Sequence, residues 1–415
     1  MRLHFTTTAS LTIGFAALLT QSVQAAGFYL SEIGTPGSLG TAGVGNPVNT
    51  VGADSAWTNP AGMTSLQEDQ LFAGAQVVIP KIKFDSSVAE AGGDDGGNAG
   101  AIVAIPSFFV VKKMSDRVSL GFSVVAPQGG AMDFGNNFVG RYAATKVELA
   151  AIAASSSVAY KVNEKLSLGA GVSIVYTTFE QDIAINQGVN PDGKVTFKDM
   201  DDWGYQPFAG VTYYISDDVM LGVVYRAEMD VKLKGDLDFN DLSGPTPPAD
   251  KIKIGWDNPQ TLKAGLSYEF EKGKKVMFSA NWEDWSQFSK NQVAVTGGPL
   301  NPTGVIERNF KDTWSAGVAF VDWSIKEHGY SVGASYDSSP VSDKNRTIDL
   351  PFDETFRLST AYFWTGQNHL DFGLGATLTY FGEGKVDQTA QGVRFKGKFD
   401  TNVAAFLGGT IRYIF

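Results

Sequence analysis

The chain has 415 residues, 43% of them hydrophobic and 19% charged, with a formal net charge of −11. That charge excludes the usual nucleic-acid binder, which needs a basic footprint to displace phosphate counterions, and the absence of cysteine excludes disulfide staples and thiolate metal sites. Aromatics at 12% and 47 glycines are high for a soluble domain, whereas a mean hydropathy of −0.07 suits a wall whose greasy and polar faces average out.

The first element is a leader. Arg2 and His4 give a short basic start, Leu11 to Leu19 is apolar, and Val23-Gln24-Ala25 offers small residues before a cut, so residues 1–25 read as a secretory signal peptide. No later window holds the ~18 uninterrupted apolar residues of a transmembrane helix. The mature chain is expected to start Ala26-Gly27-Phe28. Residues 26–68 then show neither strand nor helix periodicity. They are rich in Gly, Ala, Ser, Thr, Asn and Pro, yet carry Leu39, Trp57, Met63 and Leu66 as groups to bury. A hatch, or plug, in a barrel lumen is the reading these anchors support; an unstructured periplasmic extension is the other. Asn59-Pro60-Ala61-Gly62 reads as a turn near its end.

From residue 69 onward the signal is period two. In residues 261–270, Leu262, Ala264, Leu266, Tyr268 and Phe270 alternate with Thr261, Lys263, Gly265, Ser267 and Glu269. The same split places Phe356, Leu358, Tyr362 and Trp364 opposite Arg357, Ser359 and Ala361. Fourteen strands are expected, starting near Gln70, Ala104, Val118, Lys146, Leu166, Gly204, Met220, Gln260, Lys275, Arg308, Tyr330, Glu354, His369 and Thr401. Short polar turns such as 113–116, 163–165 and 366–368 alternate with long loops at 86–100, 128–145, 235–259, 286–307 and 382–400. An even strand count, loops sorted by length to opposite rims and a last strand ending on Phe415 predict an all-β fold: a transmembrane antiparallel β-barrel of 14 strands in the outer membrane. Both termini are then expected in the periplasm and the long loops outside.

Catalysis finds little support. His4 leaves with the leader, and His328 and His369 fall at short turns, so no nucleophile and base are paired for lipid hydrolysis. No His and carboxylate cluster suggests a metal, and no cofactor is expected. An adhesin or phage-receptor barrel acting through its long loops is a further reading.

Several segments in order resemble the FadL/TodX family of outer-membrane transporters for hydrophobic compounds. They include Ala26-Gly27-Phe28, Asn59-Pro60-Ala61-Gly62-Met63, Phe138-Val139-Gly140-Arg141-Tyr142, Trp285-Ser286-Gln287-Phe288, Phe310-Lys311-Asp312-Thr313-Trp314 and Tyr336-Asp337-Ser338-Ser339-Pro340. The resemblance implies a fourteen-stranded barrel with an N-terminal hatch, acting as a monomer on long-chain fatty acids or, in one branch, aromatic hydrocarbons. It also implies ligand moving from a loop groove to a pocket near the hatch, then sideways through a kinked third strand into membrane lipid. Asn59, Pro60 and Ala61 become the hatch gate, and Pro127, Gly129 and Gly130 the kink. From the residues alone, the third strand either fails to pair there, because proline lacks a donor and glycines tolerate a bulge, or simply ends at Pro127. Lys311 matches a lysine near the ligand carboxylate in fatty-acid-transporting members; a lumen lysine paired to an acid is the alternative. The family's fifth-strand arginine has no counterpart in residues 176–185, which carry Glu180 and Asp182 instead.

Overall fold

The computed structural model describes residues 32–246, 250–296, 303–325 and 327–415. The expected leader and the first residues after it lie outside these. Nineteen strands are present among the described residues: β1 (Gln70–Ala89), β2 (Val103–Lys113), β3 (Val118–Asp133), β4 (Lys146–Lys161), β5 (Leu166–Ile185), β6 (Gly193–Tyr214), β7 (Val219–Arg226), β8 (Met229–Asn240), β9 (Lys251–Asn258), β10 (Thr261–Glu271), β11 (Lys274–Glu283), β12 (Lys290–Thr296), β13 (Thr303–Glu307), β14 (Thr313–Asp322), β15 (His328–Asp337), β16 (Thr355–Thr365), β17 (Leu370–Tyr380), β18 (Lys385–Ala390) and β19 (Val393–Ile414).

Fourteen of them close a ring. β1 to β7, β10, β11, β14 to β17 and β19 pair antiparallel in chain order, and β1 meets β19 with Gln70 opposite Ile414. Closure leaves no edge strand, which is what a sheet in hydrocarbon requires. The period-two pattern sets the faces. On β16, Leu358 is 65% exposed on the outside while Arg357 beside it is 8% exposed. Near the short turns the outward aromatics touch from strand to strand, as Phe270 with Phe320, Phe320 with Tyr330 and Trp364 with Phe372 do at 5.5–6.2 Å between ring centres. This is one interfacial girdle.

The other five strands fall wholly or, for β8, partly within segments that sequence periodicity leaves as long loops. β8 pairs with β6 and β9, β9 with β12, and β12 with β13, so the wall is carried upward as a small sheet. Its inner face buries Val231, Leu233, Ile252, Ile254 and Trp256 over the long-loop end of the lumen.

Residues 32–66 form short helical turns, Pro36–Leu39, Asn46–Val48, Ser55–Thr58 and Pro60–Ser65. Inward-facing wall glycines receive them. A Cβ at Gly74, Gly121, Gly169, Gly210, Gly222, Gly265, Gly317, Gly333, Gly373 or Gly408 would meet an atom of this segment within 3.2 Å. These glycines belong to ten of the fourteen wall strands. A segment touching the inner face on so many sides lies inside the ring.

Candidate functional site

Above the segment, toward the long loops, is a cavity of about 1090 Å³. Its floor is Glu32, Ala42, Gly43 and Asn46 of the segment, and its walls include Leu149, Phe179, Met200, Trp285, Phe310, Phe352, Phe381 and Phe406. The loop sheet covers it with an aromatic cluster in which Phe288 lies 5.3 Å from Phe310 and 6.0 Å from Trp256. A second cavity of about 390 Å³ lies on the short-turn side of the segment, bordered by Val51, Asp54, Phe72, Glu269 and Arg412. Asn46 borders both.

Beside the larger cavity one ladder of the ring stops short. The β2–β3 ladder runs from Lys113 opposite Ser119 to Phe108 opposite Val124 and stops. β2 continues to pair with β1 as far as Val103, and β3 with β4 as far as Asp133, so each strand keeps its other neighbour. The two edges meet again at the far end of the gap, where Gly100 bridges Met132 and the Ala101 N–H donates to Ala131 O at 3.1 Å. Between lies a window framed by residues 101–107 and 125–131, most of which line the cavity, together with the outward-facing Ile102 and Ile152.

Local chemistry explains the separation. On β3 the residues Ala126 and Pro127 stand together opposite Ile152, because Val125 pairs with Ala153 and Gln128 with Ala151. That is a β-bulge, with a proline that has no N–H to offer a ladder. The strand does not end at Pro127. Gly129 and Gly130 pair in regular register with Ala150 and Leu149, and a Cβ on Gly129 would meet nothing closer than Leu149 O at 3.5 Å, an ordinary contact, so the register irregularity falls at Ala126 and Pro127. Gln128 is buried, and its amide is held by Asn258 of β9 in two bonds of 3.2 and 3.4 Å. Trp256 Nε1 donates to the same Asn258 Oδ1 at 2.9 Å. Nothing in the sequence links Gln128 to a residue 130 positions away.

Asn59, Pro60 and Ala61 are buried at the wall. Asn59 is extended and caps the helical turn that Pro60 begins, its Oδ1 accepting from the Ala61 N–H at 3.1 Å. Its Nδ2 donates to Pro47 O at 2.6 Å and to Val211 O of β6 at 3.2 Å. The corner rests on Gly210 of β6 and Gly169 of β5. β3 is met instead through Met63, whose carbonyl accepts from Ser119 Oγ at 3.4 Å. Pro127 is eight residues further along that strand, some way over 20 Å at about 3.3 Å per residue, so corner and bulge are not brought together.

Lys311 stands outside the cavity lining. It is exposed, its N–H bonds Pro340 O at 2.9 Å, and its neighbours Phe310 and Thr313 line the cavity while it does not. The cavity's cations are Lys263 and Arg357. Lys263 Nζ lies 3.5 Å from Glu283. Arg357 is bound by Asp337 of β15 and, at 3.1 Å, by Glu32 of the segment. Of the two fifth-strand acids, Glu180 lines the cavity, whereas Asp182 turns to Lys194 at 2.6 Å and Thr196 at 2.7 Å. Among the described residues eight carboxylates line the cavity against these two cations, which disfavours a free anion there. Arg357 was legible as a lone arginine on the polar face of its strand; its partner Glu32 was not. His328 bonds Tyr362 at 2.6 Å near the short-turn rim, and neither it nor His369 borders a cavity.

A family model described as outer membrane protein transport protein (OMPP1/FadL/TodX) matches residues 16–415. A long-chain fatty acid transport protein of Escherichia coli O6:H1 is 24% identical over 439 aligned positions, covering 97% of each chain. Among solved structures, a Pseudomonas aeruginosa FadL homologue superposes with a TM-score of 0.84 at 21% identity, over 94% of this chain and all of that one. The Pseudomonas putida toluene transporter TodX gives 0.69 at 16% identity, over 95% and 100%.

Proposed function

The chain belongs to the OMPP1/FadL/TodX family and is an outer-membrane transport channel for hydrophobic compounds, not an enzyme; from this we propose a route for its cargo. Hydrophobic molecules, long-chain fatty acids first among them, enter from the long-loop side and settle in the 1090 Å³ cavity. They leave sideways through the β2–β3 window into membrane lipid, driven by their own gradient. Residues 32–66 act as the hatch that denies water a straight path, with Asn59, Pro60 and Ala61 as its fixed corner. The long loops face the exterior and the short turns the periplasm.

One observation carries this reading. The lining runs without a break from Phe179, Phe352 and Phe381 in the lumen to Ile105, Ala126 and Gly129 at the window, and on to Ile102 and Ile152 outside. Such a path suits a solute that prefers hydrocarbon to water throughout. A second reading, uptake of uncharged hydrocarbons, is favoured by the pairing of both cavity cations with protein carboxylates. The test is photolabelling in outer-membrane vesicles with a diazirine fatty acid and a diazirine alkane. Labels on residues 101–107 and 125–131 support the route; labels confined to the residues of the second cavity overturn it.

A further inference from the structure

Three wall arginines reach into the segment. Arg226 of β7 binds Trp57 O and stacks on the Trp57 ring at 3.7 Å, and Arg412 of β19 donates to Val51 O at 3.1 Å. Arg357 of β16 is ion-paired with a charged side chain of the segment, Glu32, and it lines the larger cavity. Glu32 is 1% exposed and lies at the cavity floor. Its carboxylate therefore occupies the kind of place on a guanidinium that the head of a fatty-acid anion would take.

We infer that Glu32 is a specificity-determining group, a carboxylate supplied by the segment that competes with a ligand carboxylate for Arg357. An anionic ligand that binds Arg357 must displace Glu32 and unseat the start of the segment; an uncharged ligand of the same length fills the cavity with Glu32 in place. Asp337, fixed on the wall strand β15, stays on Arg357 in both states. The inference rests on the cavity being the binding site proposed above.

Binding of dodecanoate and of 1-dodecanol to the purified full-length protein in detergent at pH 8 tests this. The Glu32→Gln variant should raise the ratio of dodecanoate to dodecanol affinity by about tenfold or more, the scale set by losing a charged competitor. Gly37→Cys, where a side chain meets nothing closer than Asp54 at 4.0 Å, carries a spin label in a chain with no other cysteine. Dodecanoate should mobilise that label and dodecanol should not. Asp337→Asn provides a variant with the segment intact, in which dodecanoate must still mobilise it. An unmoved affinity ratio, or equal mobilisation by both compounds, overturns the inference alone. Failure of both compounds to bind the wild-type protein overturns the channel reading together with it.

Discussion

Gly210 of β6 lies directly against Asn59, so that a methyl group on residue 210 would overlap Asn59 Oδ1 and approach Pro60 Cδ to 3.0 Å. The wall and the segment are complementary at this point in both shape and hydrogen bonding. Gly210→Ala is expected to cost about 1–3 kcal/mol, the usual scale for overpacking, and to fall on the segment rather than the strands. Limited proteolysis should cut residues 32–66 faster while the resistance of the barrel to detergent unfolding holds.

Asn59→Ala removes the partner of three backbone groups, Pro47 O, Val211 O and the Ala61 N–H. Each buried group left without a partner costs about 1–3 kcal/mol. Hydrogen exchange at Ala61 and Gly62 should accelerate well beyond that at Ser55 to Thr58, where helical bonds remain.

Arg308 and Asp349 form an ion pair at 3.3 Å with both side chains about 1% exposed, among the long loops. Burial pushes Asp349 up and Arg308 down from their ordinary ranges, opposed by their attraction to each other. Arg308→Met alone should destabilise the loop packing by about 3–5 kcal/mol, whereas Arg308→Met with Asp349→Leu should come close to neutral or better. Denaturant titration read by the fluorescence of Trp256 and Trp285 gives the comparison.

Asp387 receives bonds of 2.8 Å from both Nε and Nη2 of Arg394 in the β18–β19 hairpin. Its carboxyl is held below the usual range, first by that hydrogen bonding and then by the charges of Arg394 and Lys396. A depressed folded pKa adds stability above the unfolded value of about 3.9, and the contribution fades as pH falls through the folded value. Protection factors of the hairpin amides, exchange rates corrected for the intrinsic pH dependence, should therefore fall below about pH 4, and Asp387→Asn should flatten that dependence.

Much of this architecture is written in period-two alternation, because each wall strand meets lipid on one side and the lumen on the other. Leu262, Tyr268 and Phe270 report that division directly, and the short turns mark one rim. The loop strands β8, β9, β12, β13 and β18 were hidden because a loop sheet packed on the lumen mouth has no lipid face to enforce a long pattern. On the third strand the extra residue falls at Ala126 and Pro127 while Gly129 and Gly130 pair in register, since a glycine signals permission and only the register shows where the bulge lies. A matching residue type at position 311 does not fix which way a loop side chain points, and Lys311 is not among the cavity-lining residues. Glu32 could not be found at all: its role depends on a partner 325 positions away, across the lumen.

The proposed route turns on the β2–β3 window. Ala104→Cys and Gly129→Cys place single thiols on its two frames, in a chain without cysteine, and a cleavable bis-maleimide can tie them. Uptake of dodecanoate and of a radiolabelled alkane is then measured in intact cells before tying, after tying, and after cleavage of the link. The account predicts that uptake falls to the level of cells lacking the protein while the window is tied, and returns on cleavage. Uptake that proceeds undiminished through the tied protein would contradict it.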